Sequence, residues 1–365
     1  MRGTSQTQDL DPHLERDALH IVAGLGVLNE RLADRRILLT GAAGFLGSQF
    51  VHYFAGLNDS GRLERPCHLT ALDTFQRGTP AWIEPLRGRS DIVFQSADIV
   101  RDVAYAPADF IIHAASIASP IFYRRHPIET MDANVIGLRN LLDHARANPV
   151  ESFLFFSTSE IYGDPDAAHI PTSEEYRGNV SCTGPRACYD ESKRYGETLC
   201  VNFWRAHQLP VKIARPFNNY GPGLKITDRR VLPDFFRDVM AGRDIELLSD
   251  GSATRTFCYV ADAVEGYLRI LLSSHNGEAF NIGTEEPEIS MLDLAQLVIE
   301  VSGTRSKVTR AVSEDPHYLT DNPNRRCPTI AKARRLLDYN PRIALREGLE
   351  RTYAYYRDSS SGSDD

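Results

Sequence analysis

The feature that most constrains this chain is a short apolar run, Ile37-Leu38-Leu39-Thr40, that leads directly into Gly41-Ala42-Ala43-Gly44-Phe45-Leu46-Gly47. A strand that becomes a helix within a few residues needs glycine there, for the tight turn and for the close approach of helix to strand. The first N–H groups of the following helix have no intrahelical partner and lie at the positive end of its dipole. The segment is therefore a seat for a phosphate or pyrophosphate.

The rest of the chain supplies the sheet that such a turn belongs to. The runs His68–Leu72, Ile92–Phe94, Phe110–His113, Phe153–Ser157 and Val211–Ala214 alternate with helical stretches. Near-continuous apolar strands separated by helices are what a parallel sheet covered on both faces requires. The expected fold class is α/β, a Rossmann-like doubly wound parallel sheet with a smaller C-terminal substrate-binding lobe. The pattern divides the 365 residues into four parts. Residues 1–34 form an extension, 35–215 the dinucleotide-binding domain, 216–355 mainly the substrate lobe, interleaved with the first domain, and 356–365 a disordered tail. Within the extension, Leu14, Ala18, Ile21, Leu25, Leu28 and Leu32 recur at helical spacing and predict one amphipathic helix, weakened by Gly24 and Gly26, that packs on the body or on a second subunit. In the lobe, a helix is expected around Leu232–Gly242.

Composition narrows the functional classes. With 42% hydrophobic and 25% charged residues the chain is globular, and a net charge of -8 argues against a nucleic-acid or anionic-membrane surface. Cys67, Cys182, Cys188, Cys200, Cys258 and Cys327 form no CxxC pair, so reduced thiols are expected and no metal site. The polar start and the lack of a long apolar run predict a soluble, cytoplasmic protein without a membrane anchor.

Asp73, at the end of the second run, stands where a carboxylate accepts hydrogen bonds from an adenosine ribose and repels a 2'-phosphate, which favours NAD as cofactor; Arg77 close by is read as a solvated loop charge. Asp98 and Ile99 follow the third run and are placed against the adenine, with a helix cap as the alternative role for Asp98. Tyr189 and Lys193 are four apart and share a helical face, and Ser157-Thr158-Ser159-Glu160 ends an apolar strand, where catalytic groups of such sheets gather. An ammonium beside a phenol lowers its pKa, so Tyr189 is expected to take a hydroxyl proton, with Thr158 hydrogen-bonding the same oxygen. His113, at a strand end, reads as a core histidine.

Through TGAAGFLG, HAASIASP, STSEIYGDP, YDESK and RPFNNYGP the sequence resembles, from about residue 35 to 355, the extended short-chain dehydrogenase/reductases that modify nucleotide sugars, the NAD-dependent epimerase/dehydratase superfamily. Within it, Thr158-Ser159-Glu160 and Gly184-Pro185-Arg186-Ala187-Cys188-Tyr189-Asp190-Glu191 are most similar to the UDP-glucuronate decarboxylases (UDP-xylose synthases). The resemblance implies that Gly41, Gly44, Phe45, Leu46, Gly47, Asp73, Asp98, Ile99, Ala114, Ser116, Tyr189 and Lys193 bind NAD. It implies that Ser119, Ser159, Asn218, Arg230, Arg255 and Arg326 bind a nucleotide-sugar substrate, and that Thr158, Glu160, Tyr189, Lys193 and Arg326 are catalytic, the last within Asn324-Arg325-Arg326-Cys327-Pro328. It further implies a homodimer joined through the helix of Tyr189 and Lys193. The implied reaction oxidises C4 of the glucuronate, loses CO2 from the resulting β-keto acid and returns the hydride. A 4-epimerase, an oxidative decarboxylase releasing the 4-keto pentose, a 4,6-dehydratase and a non-catalytic NAD-binding protein stand as alternatives. The chain departs from the decarboxylase pattern at Gly223, where an arginine is usual, at Asp228-Arg229-Arg230 for Asp-Gly-Arg, at Ser181-Cys182-Thr183 for Asn-Pro-Ile, and in its N-terminal helix.

Overall fold

A computed structural model describes residues 10–312, 320 and 323–361 of the chain. The chain begins with α1 (Pro12–Leu25), then β1 (Arg36–Thr40), α2 (Phe45–Asp59), β2 (His68–Asp73), β3 (Ile92–Ser96) and β4 (Phe110–His113). Helices α3 (Pro120–Arg125), α4 (Pro127–Asp132) and α5 (Leu138–Ala147) lead to β5 (Ser152–Phe156), the long α6 (Ala187–His207), β6 (Val211–Pro216) and β7 (Asn219–Tyr220). The C-terminal part carries α7 (Val231–Met240), β8 (Ile245–Leu247), β9 (Thr254–Arg255), β10 (Cys258–Tyr259), α8 (Val260–Leu271), β11 (Ala279–Ile282), β12 (Ile289–Ser290), α9 (Met291–Ser302), β13 (Val308–Arg310), β14 (Arg325–Arg326), α10 (Ala331–Leu337) and α11 (Leu345–Ser361).

Seven strands form one parallel sheet in the order β11-β6-β5-β4-β1-β2-β3. The chain therefore reverses direction across the sheet between β1 and β4, and the crevice beyond the C-terminal ends of those strands is where ligands bind in open α/β sheets. Strands at the centre are apolar throughout because both faces are covered: every residue of β4 and β5 is buried. β11 comes from beyond residue 216 and pairs with β6, so the C-terminal part completes the sheet of the N-terminal one. The remaining short strands include a three-stranded set, β12-β9-β14, which brings Arg255 and Arg326 into register with each other.

The N-terminal helix packs on the body. Leu14, Ala18, Ile21, Val22 and Leu25 are buried against α2 and α8, and the helices approach so closely that a Cβ on Gly56 would lie 3.3 Å from Ala18 Cβ. The expected single helix to Leu32 is corrected: α1 ends at Leu25, and Gly26–Leu32 continues as a 3-10 turn. Gly26 at φ +53 breaks the helix, and the Asn29 amide caps it by donating to Val22 O at 2.8 Å and Gly26 O at 2.7 Å. At the other end of the chain, α11 runs through Ser361 rather than giving way to a loose tail after residue 355. Leu345, Leu349, Thr352 and Tyr356 are buried at helical spacing and carry it onward. The polar extreme N-terminus, residues 1–9, and the end of the tail, 362–365, lie outside the described residues.

Gly41 shows why the strand–turn–helix segment tolerates no substitute. Its φ is +75, and a Cβ there would lie 2.7 Å from both the N and the Cα of Ala115. Gly41→Ala is expected to destabilise the protein by about 2 kcal/mol through left-handed strain and displacement of the β4 exit, read as a lower denaturant midpoint.

Candidate active site

The C-terminal ends of the strands open into a cleft of about 2850 Å³, several times the roughly 300–1,000 Å³ of a pocket for one small ligand. One half is built by the turn after β1. Gly44 caps α2 from an extended conformation, and a Cβ on Gly47 would fall 2.0 Å from Gly41 O and 2.8 Å from Ala42 Cα, so helix and strand meet without a side chain between them. Asp73 ends β2 beside this turn. Its carboxylate accepts from Ala43 N–H at 3.0 Å and Phe75 N–H at 2.9 Å, placing a negative group on the cleft wall at the tip of the second strand. Asp98 and Ile99 line the same half. The Asp98 side chain accepts from Val100 N–H at 3.0 Å, an Asx turn rather than a helix cap. Ala114 and Ser116 follow β4, where Ser116 donates to Asn134 Oδ1 at 2.7 Å. Arg77 is a solvated charge, its side chain 54% exposed, with its guanidinium 4.8 Å over the Phe122 ring and 3.8 Å from Asp228.

This half passes a test of fit for NAD. A glycine cradle too tight for a Cβ, an exposed helix N-terminus, a carboxylate at the end of β2 and the buried, unpartnered Ser157 hydroxyl on the cleft wall are groups a dinucleotide would satisfy.

The second half gathers side chains from four segments. Tyr189 and Lys193 project from α6, Thr158 and Glu160 from the turn after β5, Arg186 from the entry to α6, and Arg326 from β14. Thr158 and Tyr189 are hydrogen-bonded through their side chains. Tyr123, from α3, stacks on Tyr189 with centroids 5.1 Å apart and planes at 8°. Lys193 is 2% exposed, donates to Phe156 O at 2.8 Å and stands 5.8 Å from the Tyr189 ring. Burial dominates the titration of both members of the pair. Burial pushes Tyr189 up to about 12, against the Thr158 hydrogen bond, and burial pulls Lys193 down to about 7, because each charged form lacks solvent here. His113 sits beneath them, bonded to Thr40 Oγ1 at 2.9 Å, stacked on Phe155 and held neutral by burial, its value lowered to about 3.

Glu160 occupies the centre of this half. Arg326 meets it with two parallel bonds of 2.7 and 2.6 Å, and Arg186 adds a third, short bond to Oε2. Burial alone would raise the carboxyl, but the two guanidiniums overcome it and hold Glu160 at about 2. Arg186 was not singled out from the sequence, although it lies three residues before Tyr189, one helical turn away. Arg255, also buried, is turned to the carbonyls of Thr254 and Asn324, at 2.7 and 3.0 Å, and to that of Pro323, and is pulled down to about 9 by burial and by the neighbouring Arg326. Ser119 donates to Asp228 O at 3.0 Å, Asn218 to Thr256 O at 2.9 Å, and Arg230 pairs with Asp228 at 2.8 Å, all three on the cleft wall with Ser159. Replacing Glu160 by Gln leaves two buried guanidiniums facing a neutral group. The variant is expected to lose about 3 kcal/mol of stability, measured by chemical denaturation. In the parent the carboxylate's contribution is complete above the unfolded value near 4.5 and is lost as pH falls toward 2, because the folded value is the lower one.

Residues 37–283 match the model of the NAD dependent epimerase/dehydratase family. UDP-glucuronic acid decarboxylase 1 of Xenopus tropicalis is 37% identical over 346 residues, 94% of this chain and 77% of the relative. Among solved structures, an epimerase from Methanothermobacter thermautotrophicus superposes with a TM-score of 0.80 at 27% identity, covering 92% of this chain and 97% of that one. UDP-glucuronic acid 4-epimerase from Bacillus cereus, in complex with UDP-glucuronic acid and NAD, superposes with a TM-score of 0.73 at 26% identity, covering 89% and 99%. With its glycine turn, sheet order and Tyr189–Lys193 pair on the same cleft, the chain belongs to the NAD dependent epimerase/dehydratase family.

Proposed function

We propose that the protein decarboxylates UDP-glucuronate to UDP-xylose by oxidation at C4, loss of CO2 and re-reduction. The observation that carries this reading is the seat formed by Arg186 and Arg326 around Glu160, in the same cleft as Tyr189, Thr158 and Lys193. The likeness to decarboxylases along nearly the whole chain supports it.

Bound NAD supplies the hydride acceptor, and later donor, at C4; Gly41, Gly44, Phe45, Leu46, Gly47, Asp73, Asp98, Ile99, Ala114 and Ser116 would hold it. Tyr189 and Thr158 together address the C4 hydroxyl, and Tyr189 carries its proton away and returns it. Because Tyr189 rests as a neutral phenol, the charges that arrive with the ligands and the Lys193 ammonium must stabilise its base form. Oxidation places a ketone β to the C5 carboxylate. The C5–carboxyl bond then breaks with its electron pair delocalised toward the C4 oxygen, and C5 takes up a proton. Arg186 and Arg326 orient the carboxylate in the plane that this cleavage requires. Glu160 is ionised here, so it starts as the partner that aligns both guanidiniums. It relays a solvent proton to C5 only after the substrate carboxylate has come to share them. Arg230 and Asn218, with Ser119 and Ser159, line the remainder of the substrate half, where an arginine fork suits a diphosphate.

We further propose that the protein acts as a cytoplasmic homodimer. No helix among the described residues is long and apolar enough to cross a membrane, and all six cysteines are free. Ile128 and Met131 on α4, Ile136 between α4 and α5, and Tyr195 on α6 are 63, 43, 44 and 51% exposed, an apolar face that a second copy would cover. Sedimentation of an Ile128→Asp, Tyr195→Asp double variant is expected to give a monomer where the parent sediments as a dimer.

The reaction is tested with UDP-glucuronate, following CO2, NADH absorbance and product mass. Release of CO2 with no accumulation of NADH supports the proposal, an unchanged mass indicates 4-epimerisation, and accumulating NADH indicates release of the 4-keto pentose. Tyr189→Phe is expected to lower kcat by about 100-fold or more with bound NAD retained.

A further inference from the structure

Two segments outside the span matched by the family model reach the cleft. Asp11 and Leu14, at the start of α1, and Tyr355 and Ser359, in the last turns of α11, lie on its wall. The two segments are joined there: His13 Nε2 stands 3.0 Å from Asp358 Oδ2, and the His13 and Tyr355 rings meet edge to face with centroids 6.0 Å apart. Together they hold one turn, Gly221-Pro222-Gly223-Leu224. Tyr356 OH donates to Leu224 O at 2.7 Å. From the other side, the Gln49 amide of α2 donates to Pro222 O at 2.8 Å.

Gly223 makes this assembly possible. At φ +86, a Cβ there would stand 2.8 Å from Gln49 Nε2, 3.3 Å from Ser48 Oγ and 3.5 Å from Leu14 Cδ2. At the position where the decarboxylase pattern carries an arginine, this chain has no side chain, and Gln49 and Ser48 of α2 close over it with Leu14 of α1 beside them. Ser48 and Gln49 lie one turn into α2, so the contact sits beside the helix N-terminus that faces a pyrophosphate. Beyond Leu224 the same turn continues to Lys225 and Arg230, two cations on the cleft wall.

We propose that the first turn of α1 and the last turns of α11 form a clasp on the Gly221–Leu224 turn, with Leu14 and Tyr356 as positioning residues that retain the dinucleotide. A ligand leaves a cleft only as fast as its walls open, and this wall is tied to three helices rather than left as a free loop. The inference needs NAD in the family's cofactor seat and is independent of which sugar is processed.

The test uses the full-length protein loaded with NAD, and the variants Leu14→Ala, which trims the α1 side chain nearest the turn, and Tyr356→Phe, which removes only the hydroxyl that bonds Leu224 O and leaves the ring. NAD release is followed by dilution into a scavenging dehydrogenase, the Kd for NAD by titration of the apoprotein, and Tm in parallel. At least fivefold faster release and a matching rise in Kd in both variants, with kcat at saturating NAD unchanged, is the expected result. Release within twofold of the parent in both variants, whatever happens to Tm, overturns the clasp and leaves α1 a purely structural helix. Should Leu14→Ala fail to fold, Tyr356→Phe decides the question alone by the same two thresholds.

Discussion

The whole arrangement depends on backbone meeting backbone at the tip of β1. Gly41 and Gly47 leave no atom between the strand end and the first turn of α2, and Gly41 lies equally close to the exit of β4. Because β1 and β4 are the two strands between which the sheet reverses, that approach fixes where the crevice opens and how the unpaired N–H groups of α2 face it. Everything placed on the cleft afterwards, Asp73 at the end of β2, Thr158 and Glu160 after β5, the α6 pair, is positioned relative to this one junction. A few tenths of an ångström there would be transmitted to all of them through close-packed strands.

The opposite half of the cleft is governed by an imbalance of buried charge. Arg186, Arg255 and Arg326 converge, while Glu160 is the carboxylate that bonds two of them and Asp190 lies 3.8 Å from Arg186. Arg255 is pulled down, first by burial and then by the neighbouring Arg326, so three guanidiniums share a seat whose bonded carboxylate is Glu160. An entering anion relieves that imbalance, and a neutral sugar does not. The same desolvation holds Tyr189 protonated and Lys193 close to neutrality. Burial thus opposes the charged forms of both members of the catalytic pair.

Much of this was legible in the residues. β4 spans Phe110–His113, as the apolar run alone predicts, because a central parallel strand leaves no polar interruption to blur its ends. The glycine turn and the Tyr189–Lys193 spacing are local signals, readable because strand–turn–helix and i,i+4 geometry need no distant partner. What could not be read is what depends on side chains brought together across the fold. Glu160 and Arg326 stand out singly in the sequence, but their bidentate bond spans 166 residues of chain and rests on the β14–β9 pairing that no period reveals. Arg186 falls inside the decarboxylase-like Gly184–Glu191 segment, but its bond to Glu160, 26 residues away, is likewise a product of the fold. At Tyr189 burial, a tertiary property that spacing does not reveal, outweighs the other influences on the phenol. The end of α1 was misread because spacing continues past Leu25 into a turn whose side chains remain in phase while Gly26 breaks the backbone.

The departures from the family pattern are physically connected. A side chain at 223 would crowd Gln49 and Ser48 of α2, and Leu14 of the N-terminal helix lies at contact distance from the same spot. The helix in turn needs more than that one contact. Its carboxylate Asp17, fully buried, accepts from Tyr259 OH at 2.7 Å, and Arg269 reaches its C-terminal end by donating to Gly24 O at 2.9 Å. Tyr259 lies on β10, which pairs with β7 immediately after Asn218 on the cleft wall, and Arg269 lies on α8, which covers the sheet. An element added at the N-terminus has therefore been bonded to the frame that carries the substrate half as well as to the helix that carries the cofactor turn. A helix serving only to cover apolar surface would need none of these polar ties, since burial of Leu14, Ala18, Ile21, Val22 and Leu25 already accounts for its docking. The directional bonds fix its axial position, and axial position is what brings Leu14 to Gly223.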